Sequence, residues 1–159
     1  MILMLKALEL KIPPVIVFIA ALILTWYCSS LNTLPLPHPL RPLGFVIFIA
    51  GGLIGVAGVI AFRQQRTTVN PHRPQNASSL VDGGIFAYTR NPMYLGLVVG
   101  VIGAAFIARD ASGFVFAVLT MAYLQRFQIT PEERFMQEIF GAEFTRYCQR
   151  TNRWYGRNL

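Results

Sequence analysis

Apolar side chains in this chain gather into four runs separated by short polar or basic gaps. The first covers residues 12–31 and the second residues 43–62, each long enough to cross ~30 Å of hydrocarbon at ~1.5 Å per residue. The third, residues 93–108, and the fourth, residues 111–129, are divided only by Arg109-Asp110. A connection that tight turns two helices into an antiparallel hairpin. The pattern predicts an all-α, polytopic membrane protein with four transmembrane helices in a single domain over residues 1–159, a cytoplasmic loop at 63–92 and a cytoplasmic tail at 130–159. In the tail, Met136, Phe140, Phe144 and Tyr147 recur at helical spacing, with Glu132, Arg134, Glu138 and Arg146 on the remaining face. That is the pattern of an amphipathic helix lying at the interface or over the loop.

Composition agrees with this reading. The chain is 54% hydrophobic and 13% charged, against roughly 25% charged residues in ordinary soluble domains. A soluble domain of this size could not hide so much apolar side chain; lipid removes the difficulty by solvating it. The net charge of +7 would suit nucleic acid, but the basic residues lie in the gaps and the tail, where anionic headgroups would meet them. Membrane lipids, and no nucleic acid, are therefore the expected partners. Lys6, Lys11, Arg63, Arg66, Arg73, Arg90 and the six arginines from Arg126 onward fall on one side of the predicted bilayer, and Arg41 and Arg109 on the other. That bias places both termini in the cytoplasm. The first apolar run is expected to stay in the membrane rather than act as a cleaved secretory signal. The sequon Asn76-Ala77-Ser78 then lies on the side where glycosylation does not occur.

Cys28 and Cys148 fall on opposite sides of the bilayer, with no metal-ligand spacing, and read as small buried apolar residues. His38 and His72 are likewise separated by the membrane, so no metal site is expected. Gly51, Gly52, Gly55 and Gly58 in the second run, and Gly96, Gly100 and Gly103 in the third, fall at spacings of three and four. They predict close helix–helix packing, and without a preceding strand or a G-x-G-x-x-G they do not form a dinucleotide loop.

Candidate chemistry converges at the cytoplasmic mouth of the hairpin. In Arg90-Asn91-Pro92-Met93-Tyr94-Leu95-Gly96, Asn91 is a good N-cap and Pro92 suits the first helical position. A helix start of this kind is either simply well capped or open to an anionic ligand group. Thr130-Pro131-Glu132-Glu133 reads structurally as a capping box with Thr130 as cap and Glu133 reaching back. Read functionally, its carboxylates would bind an ammonium or a cationic cofactor. The tail from Arg146 to Arg157, with Tyr147, Arg150, Arg153, Trp154 and Tyr155, is either an interfacial anchor or a source of an arginine that orients an anionic substrate.

Together these segments resemble the isoprenylcysteine carboxyl methyltransferase and phospholipid methyltransferase families. Arg90-Asn91-Pro92-x-Tyr94-x-Gly96 is similar to their R-H-P-x-Y-x-G motif. Glu132-Glu133, Phe140-Gly141, Phe144, Tyr147 and Arg153 resemble their closing pattern, and Thr67-Thr68-Val69-Asn70-Pro71 and Leu80-Val81-x-x-Gly84-x-Phe86 resemble the upstream loop of bacterial members. The likeness runs from Arg63 to Tyr155. It implies an integral membrane methyltransferase of a bacterial inner membrane that uses S-adenosylmethionine and a lipophilic or lipid acceptor. Arg90, Asn91, Pro92, Tyr94, Gly96, Glu132 and Glu133 would bind the cofactor, and Arg153 and Arg150 would serve as the catalytic arginines nearest the substrate. Asn91 stands where the family has histidine, and Asn152 and Gly156 where prolines are common. An opening between the third and fourth helices is expected to admit the acceptor from the bilayer.

Methyl transfer requires an in-line arrangement of donor and nucleophile and exclusion of water. A carboxylate acceptor needs no base, which suits a site without histidine. Two other readings fit the pattern: an NADPH-dependent membrane reductase resembling the steroid reductases, with Arg63, Arg66 and Arg73 on the 2′-phosphate, and a non-catalytic membrane scaffold in which the motifs are caps and anchors.

Overall fold

The computed structural model describes residues 9–64 and 80–157. Among these the protein is all-α, with no strand beyond two isolated bridges, Pro35 with Asp110 and Thr151 with Arg157. The helices are α1 (Pro14–Ser30), α2 (Arg41–Gln64), α3 (Pro92–Ala108), α4 (Ser112–Leu124), α5 (Thr130–Phe140) and α6 (Ala142–Arg150). Thr67–Pro71, Arg66, Arg73, His72 and the sequon lie outside the described residues, as does Lys6.

The segment His38–Gln64 is long and apolar enough to cross a membrane by length and composition, and α1 and α3 are shorter apolar helices. Large apolar side chains face outward on three helices, among them Ile23 and Trp26 on α1, Leu53 and Val46 on α2, and Val118 and Leu119 on α4. α3 is the central element, packed against α1, α2 and α4. Its inner positions are small or closely fitted, with Val101 and Ala105 fully buried.

The α2–α3 contact explains most of the glycine spacing. A Cβ on Gly51 would sit 2.6 Å from the Gly96 carbonyl oxygen, and one on Gly103 would sit 2.5 Å from the Phe48 nitrogen. Only residues without side chains let two backbones meet so closely. Gly52 and Gly55 are corrections to the expected stripe: nothing lies within 4 Å of a Cβ built at either, so neither position requires glycine for the contact.

At the end remote from the polar loop, the α3–α4 turn is as tight as expected. Arg109 takes the left-handed conformation, with φ 61°, and its N–H bonds back into α3. Asp110, 1% exposed, accepts hydrogen bonds from the Ser112 N–H (2.9 Å), the Thr33 hydroxyl (2.9 Å) and the Leu34 N–H (3.0 Å). The Leu36 N–H reaches the Arg109 carbonyl at 2.8 Å, and the Ala111 N–H reaches Leu34 at 2.8 Å. The α1–α2 connection is therefore laced to the α3–α4 turn. Burial opposes ionisation of Asp110, but these donors outweigh it and bring the carboxyl down to about 2.

The capping box predicted at Thr130 does not form. The chain runs from α4 through a π-helical turn, Gln125–Ile129, directly into α5, and no side chain caps that start. The Thr130 hydroxyl bonds back to the Gln125 carbonyl at 2.7 Å. Pro131 lacks an N–H, so the Phe127 carbonyl one turn earlier loses its α-helical donor. That carbonyl instead accepts the Leu10 N–H at 2.9 Å. Gln128 donates to the Ile12 carbonyl at 2.6 Å, and Glu9 pairs with Arg126 and Arg134. The residues before α1 are thus strapped across the π turn. The single amphipathic helix expected in the tail is two, broken at Gly141, whose φ of 49° suits a residue without a side chain.

Candidate functional site

The loop from Leu80 to Asn91, α5, α6 and the tail close around the ends of α2 and α3 remote from the Arg109 turn. Their apolar contact is a second core of Phe62, Val81, Phe86, Phe144 and Tyr147. The Tyr147 hydroxyl donates to the Phe86 carbonyl at 2.8 Å, which ties α6 to the loop. Burial pushes that phenol above its ordinary range.

The arginine of the first motif organises the polar part. Arg90 donates to the carbonyls of Thr151 (2.7 Å) and Cys148 (3.2 Å) and pairs with Glu133 at 2.8 Å. Arg153 forms a two-point contact with the same carboxylate through Nε (3.1 Å) and a terminal nitrogen. Burial raises the Glu133 carboxyl, but the hydrogen bonds from Arg153 and Arg90 outweigh it and hold it below the usual range. Glu133 is therefore the hub that joins loop, α5 and tail, and not a cap.

Glu132, its neighbour, is in a different situation. It faces Tyr94 of α3, whose hydroxyl donates to Oε1. Burial pushes its carboxyl up, the Tyr94 hydrogen bond pulls it down, and the nearby Glu133 charge adds to the rise, leaving it at about 8. Two adjacent carboxyls thus have opposite titration, because only one of them has arginines.

Asn91 occupies the N-cap position of α3 without capping it. Its amide donates instead to the Arg153 carbonyl at 3.0 Å, while its own N–H goes to the Thr89 hydroxyl at 3.1 Å. Pro92 has no N–H, and Leu95 is the first residue of α3 to bond back, to Asn91. The early amides of α3 are left without an intrahelical acceptor. The tail residues that replace family prolines use their own N–H groups. Asn152 donates to the Gly156 carbonyl at 2.9 Å, and Gly156 donates to Tyr88 at 2.9 Å with φ 111°.

A cavity lies among these elements, with about 590 Å³ of non-atom space that includes the solvent at its mouth. Arg90, Asn91, Pro92, Tyr94, Glu132 and Glu133 all line it. Arg90 Nε is buried with no hydrogen-bond partner. The cavity therefore carries donors at one end, an uncompensated carboxyl at Glu132, and aromatic walls from Phe62, Phe86 and Phe144. These residues fit a zwitterionic ligand with an aromatic ring.

Three predicted site residues stand elsewhere. Gly96 lies one turn deeper, in the α2–α3 contact, where a Cβ would meet the Gly51 carbonyl oxygen at 2.5 Å. Arg150 points to the surface and pairs with Asp82 at 2.7 Å. Arg153 sits behind Glu133 and reaches the cavity through it. Sequence reasoning passed over Phe62, Met93 and Phe86 as lining residues. The tail stripe of Met136, Phe144 and Tyr147 was legible as a face lying at the interface or over the loop, and it packs on the loop residues Val81 and Phe86 as a cavity wall.

A second, apolar groove with about 1090 Å³ of empty space runs between α1, α2 and α3, lined by Phe18, Phe48, Gly51, Gly55, Val59 and Leu97 among others. Met93 and Tyr94 line both spaces. The groove opens on the α1–α2 side of α3. Beside the Arg109 turn, α3 and α4 are close: a Cβ on Gly113 would meet the Ala105 side chain at 2.5 Å. α1 and α2 are thus walls of a groove as well as packing partners.

A family profile described as phospholipid methyltransferase matches residues 40–143, so the likeness reaches back across α2. Protein-S-isoprenylcysteine O-methyltransferases B and A of Arabidopsis thaliana are each 24% identical over 108 and 107 residues, covering 67% of this chain and 54% of each relative. A probable protein-S-isoprenylcysteine O-methyltransferase of Oryza sativa subsp. indica is 24% identical over 110 residues, 69% of this chain and 57% of the relative. The chain spans about half the length of the curated relatives it matches. No solved structure matches.

Proposed function

The chain belongs to the phospholipid methyltransferase family, and from that premise we propose that it transfers a methyl group from S-adenosylmethionine to a lipophilic acceptor at the cytoplasmic face of a membrane. The observation that carries this reading is the meeting of a polar, zwitterion-suited cavity with an apolar groove at Met93 and Tyr94. A donor in the first and a lipid-borne nucleophile in the second would approach each other across one residue pair. The plant relatives are named for methylation of isoprenylcysteine, and an isoprenoid or acyl chain is the acceptor class that a groove with this apolar lining suits.

Bound in the cavity, S-adenosylmethionine would supply a methyl group on a sulfonium. Arg90 Nε and the open amides of α3 would hold its carboxylate. Phe62 and Phe86, edge to face at 5.1 Å between centroids, would flank the adenine. Arg153 would act as a positioning residue, fixing Glu133 and through it Arg90. With the outward apolar faces of α1, α2 and α4 in lipid, α1, α2, α3 and residues 112–129 read as four crossings. The apolar groove is then open to the bilayer, and water is excluded from the reacting groups.

The test is a thermal-stability titration of the detergent-purified protein with S-adenosylhomocysteine, and with NADPH for comparison. A ligand of the native state raises its stability by mass action. A rise with S-adenosylhomocysteine and none with NADPH is expected; no rise at millimolar S-adenosylhomocysteine overturns the reading.

A further inference from the structure

We infer that Glu132 is the specificity-determining residue that tells the positively charged methyl donor from its neutral product. The inference rests on the methyltransferase reading above and goes beyond it to one side chain. Glu132 lines the cavity, and its described partner is the Tyr94 hydroxyl, which donates a hydrogen bond but brings no positive charge. The arginines in reach are committed elsewhere. Arg90, from the loop, and Arg153, from the tail, are both spent on Glu133, and Arg134, on the same helix as Glu132, pairs with Glu9. Tyr147 of α6 lines the same cavity and is held neutral by burial. Among the described residues, an ionised Glu132 therefore has a neutral donor and a like charge beside it, and no cation paired with it.

A sulfonium ligand supplies that cation. In the transfer, the acceptor's lone pair forms the new bond to the methyl carbon, and the bonding pair of the broken C–S bond stays on sulfur. The ligand left behind is a neutral thioether. Both ligands carry the α-ammonium, but only the donor carries the sulfonium, so the donor favours ionised Glu132 more strongly than the product does. With the free carboxyl at about 8, donor binding at neutral pH displaces a proton from Glu132, and conversion to the thioether lets the proton return. Linkage fixes the sign: the donor complex binds fewer protons than the product complex, so raising the pH strengthens donor binding relative to product binding. The slope is at most about tenfold per pH unit and flattens above the carboxyl's own pKa.

The experiment is isothermal titration of the full chain in detergent with S-adenosylmethionine and S-adenosylhomocysteine, from about pH 6.5 to about pH 8.5. Sinefungin, which carries an amine in place of the sulfonium, serves as a second cationic probe. Because the sulfonium lowers the pKa of the donor's own α-ammonium, the wild-type ratio is read against that of Glu132→Gln, in which the ligands titrate identically. In the wild type the ratio of cation to thioether affinity is expected to rise several-fold across this range. In Glu132→Gln both ligands should still bind, without the rise in the ratio; Glu132→Asp should keep it. A flat wild-type ratio, or an undiminished slope in Glu132→Gln, overturns the inference and leaves the methyltransferase reading intact. Failure of the wild type to bind either ligand overturns both.

Discussion

The side-chain amide of Asn91 donates to the backbone carbonyl of Arg153 at 3.0 Å, so the first residue before α3 holds the tail in place. At sequence level Asn91 was a helix cap and a departure from the family histidine. Its amide does not cap the helix: it leaves the helix start open and fastens the segment that carries Arg153. Asn91→Ala removes this bond, worth about 1 kcal/mol. The expected result is a modest fall in apparent Tm and faster proteolysis beyond Cys148, both measurable in detergent. Unchanged tail proteolysis would contradict the strap.

Glu133→Gln should be far more damaging. It leaves two arginines facing a neutral amide in a partly buried site, where side-chain exposures are 12% for Arg90 and 18% for Glu133. A loss of about 2 kcal/mol is expected, discounted for residual solvent, together with loss of S-adenosylhomocysteine binding. The pH dependence follows from the lowered carboxyl. Its contribution is present above the ordinary carboxylate range and is lost as pH falls through the depressed value. Acid scanning of the wild type should therefore loosen the tail, and scanning of Glu133→Gln should not.

Gly96→Ala and Gly52→Ala make a paired test of the α2–α3 contact. The first drives a methyl into the Gly51 carbonyl and the Gly55 backbone, while the second enters open space. Overpacking of this kind costs about 1–3 kcal/mol. Gly96→Ala should lower the melting temperature, and Gly52→Ala should leave it within experimental error.

Asp110→Asn tests the lacing at the opposite end. The carboxylate accepts from Thr33, Leu34 and Ser112, and its depressed pKa corresponds to about 2 kcal/mol that is present above the unfolded value and lost as pH falls toward about 2. The substitution should lower apparent stability at neutral pH by about that amount, with little change in ligand affinity because the site is remote. An equal loss of S-adenosylhomocysteine affinity would argue against this separation.

How much of this was legible in the sequence depends on the range of the interaction. The apolar runs, the tight Arg109-Asp110 turn, the glycine spacing and the placement of arginines are set by residues a few positions apart, and period and length suffice to read them. So were six of the residues that line the cavity, because Arg90–Tyr94 and Glu132-Glu133 occur in motif order. Thr130 and Asn91 were misread as caps for different reasons. The Thr130 hydroxyl bonds back to Gln125, five residues earlier, because the helix continues through a π turn that Pro131 favours, whereas the Asn91 amide is taken by a distant partner, Arg153, brought back by α6. The different titration of Glu132 and Glu133 is likewise tertiary: two identical side chains in adjacent positions differ because α5 turns one toward two arginines and the other toward Tyr94. By itself the sequence determined the apolar helices, their order and the residue types at the mouth of the hairpin. The tertiary structure decided which carboxyl is neutralised, which side of α3 carries the groove, and that both spaces meet at Tyr94, since each depends on contacts between segments far apart in the chain.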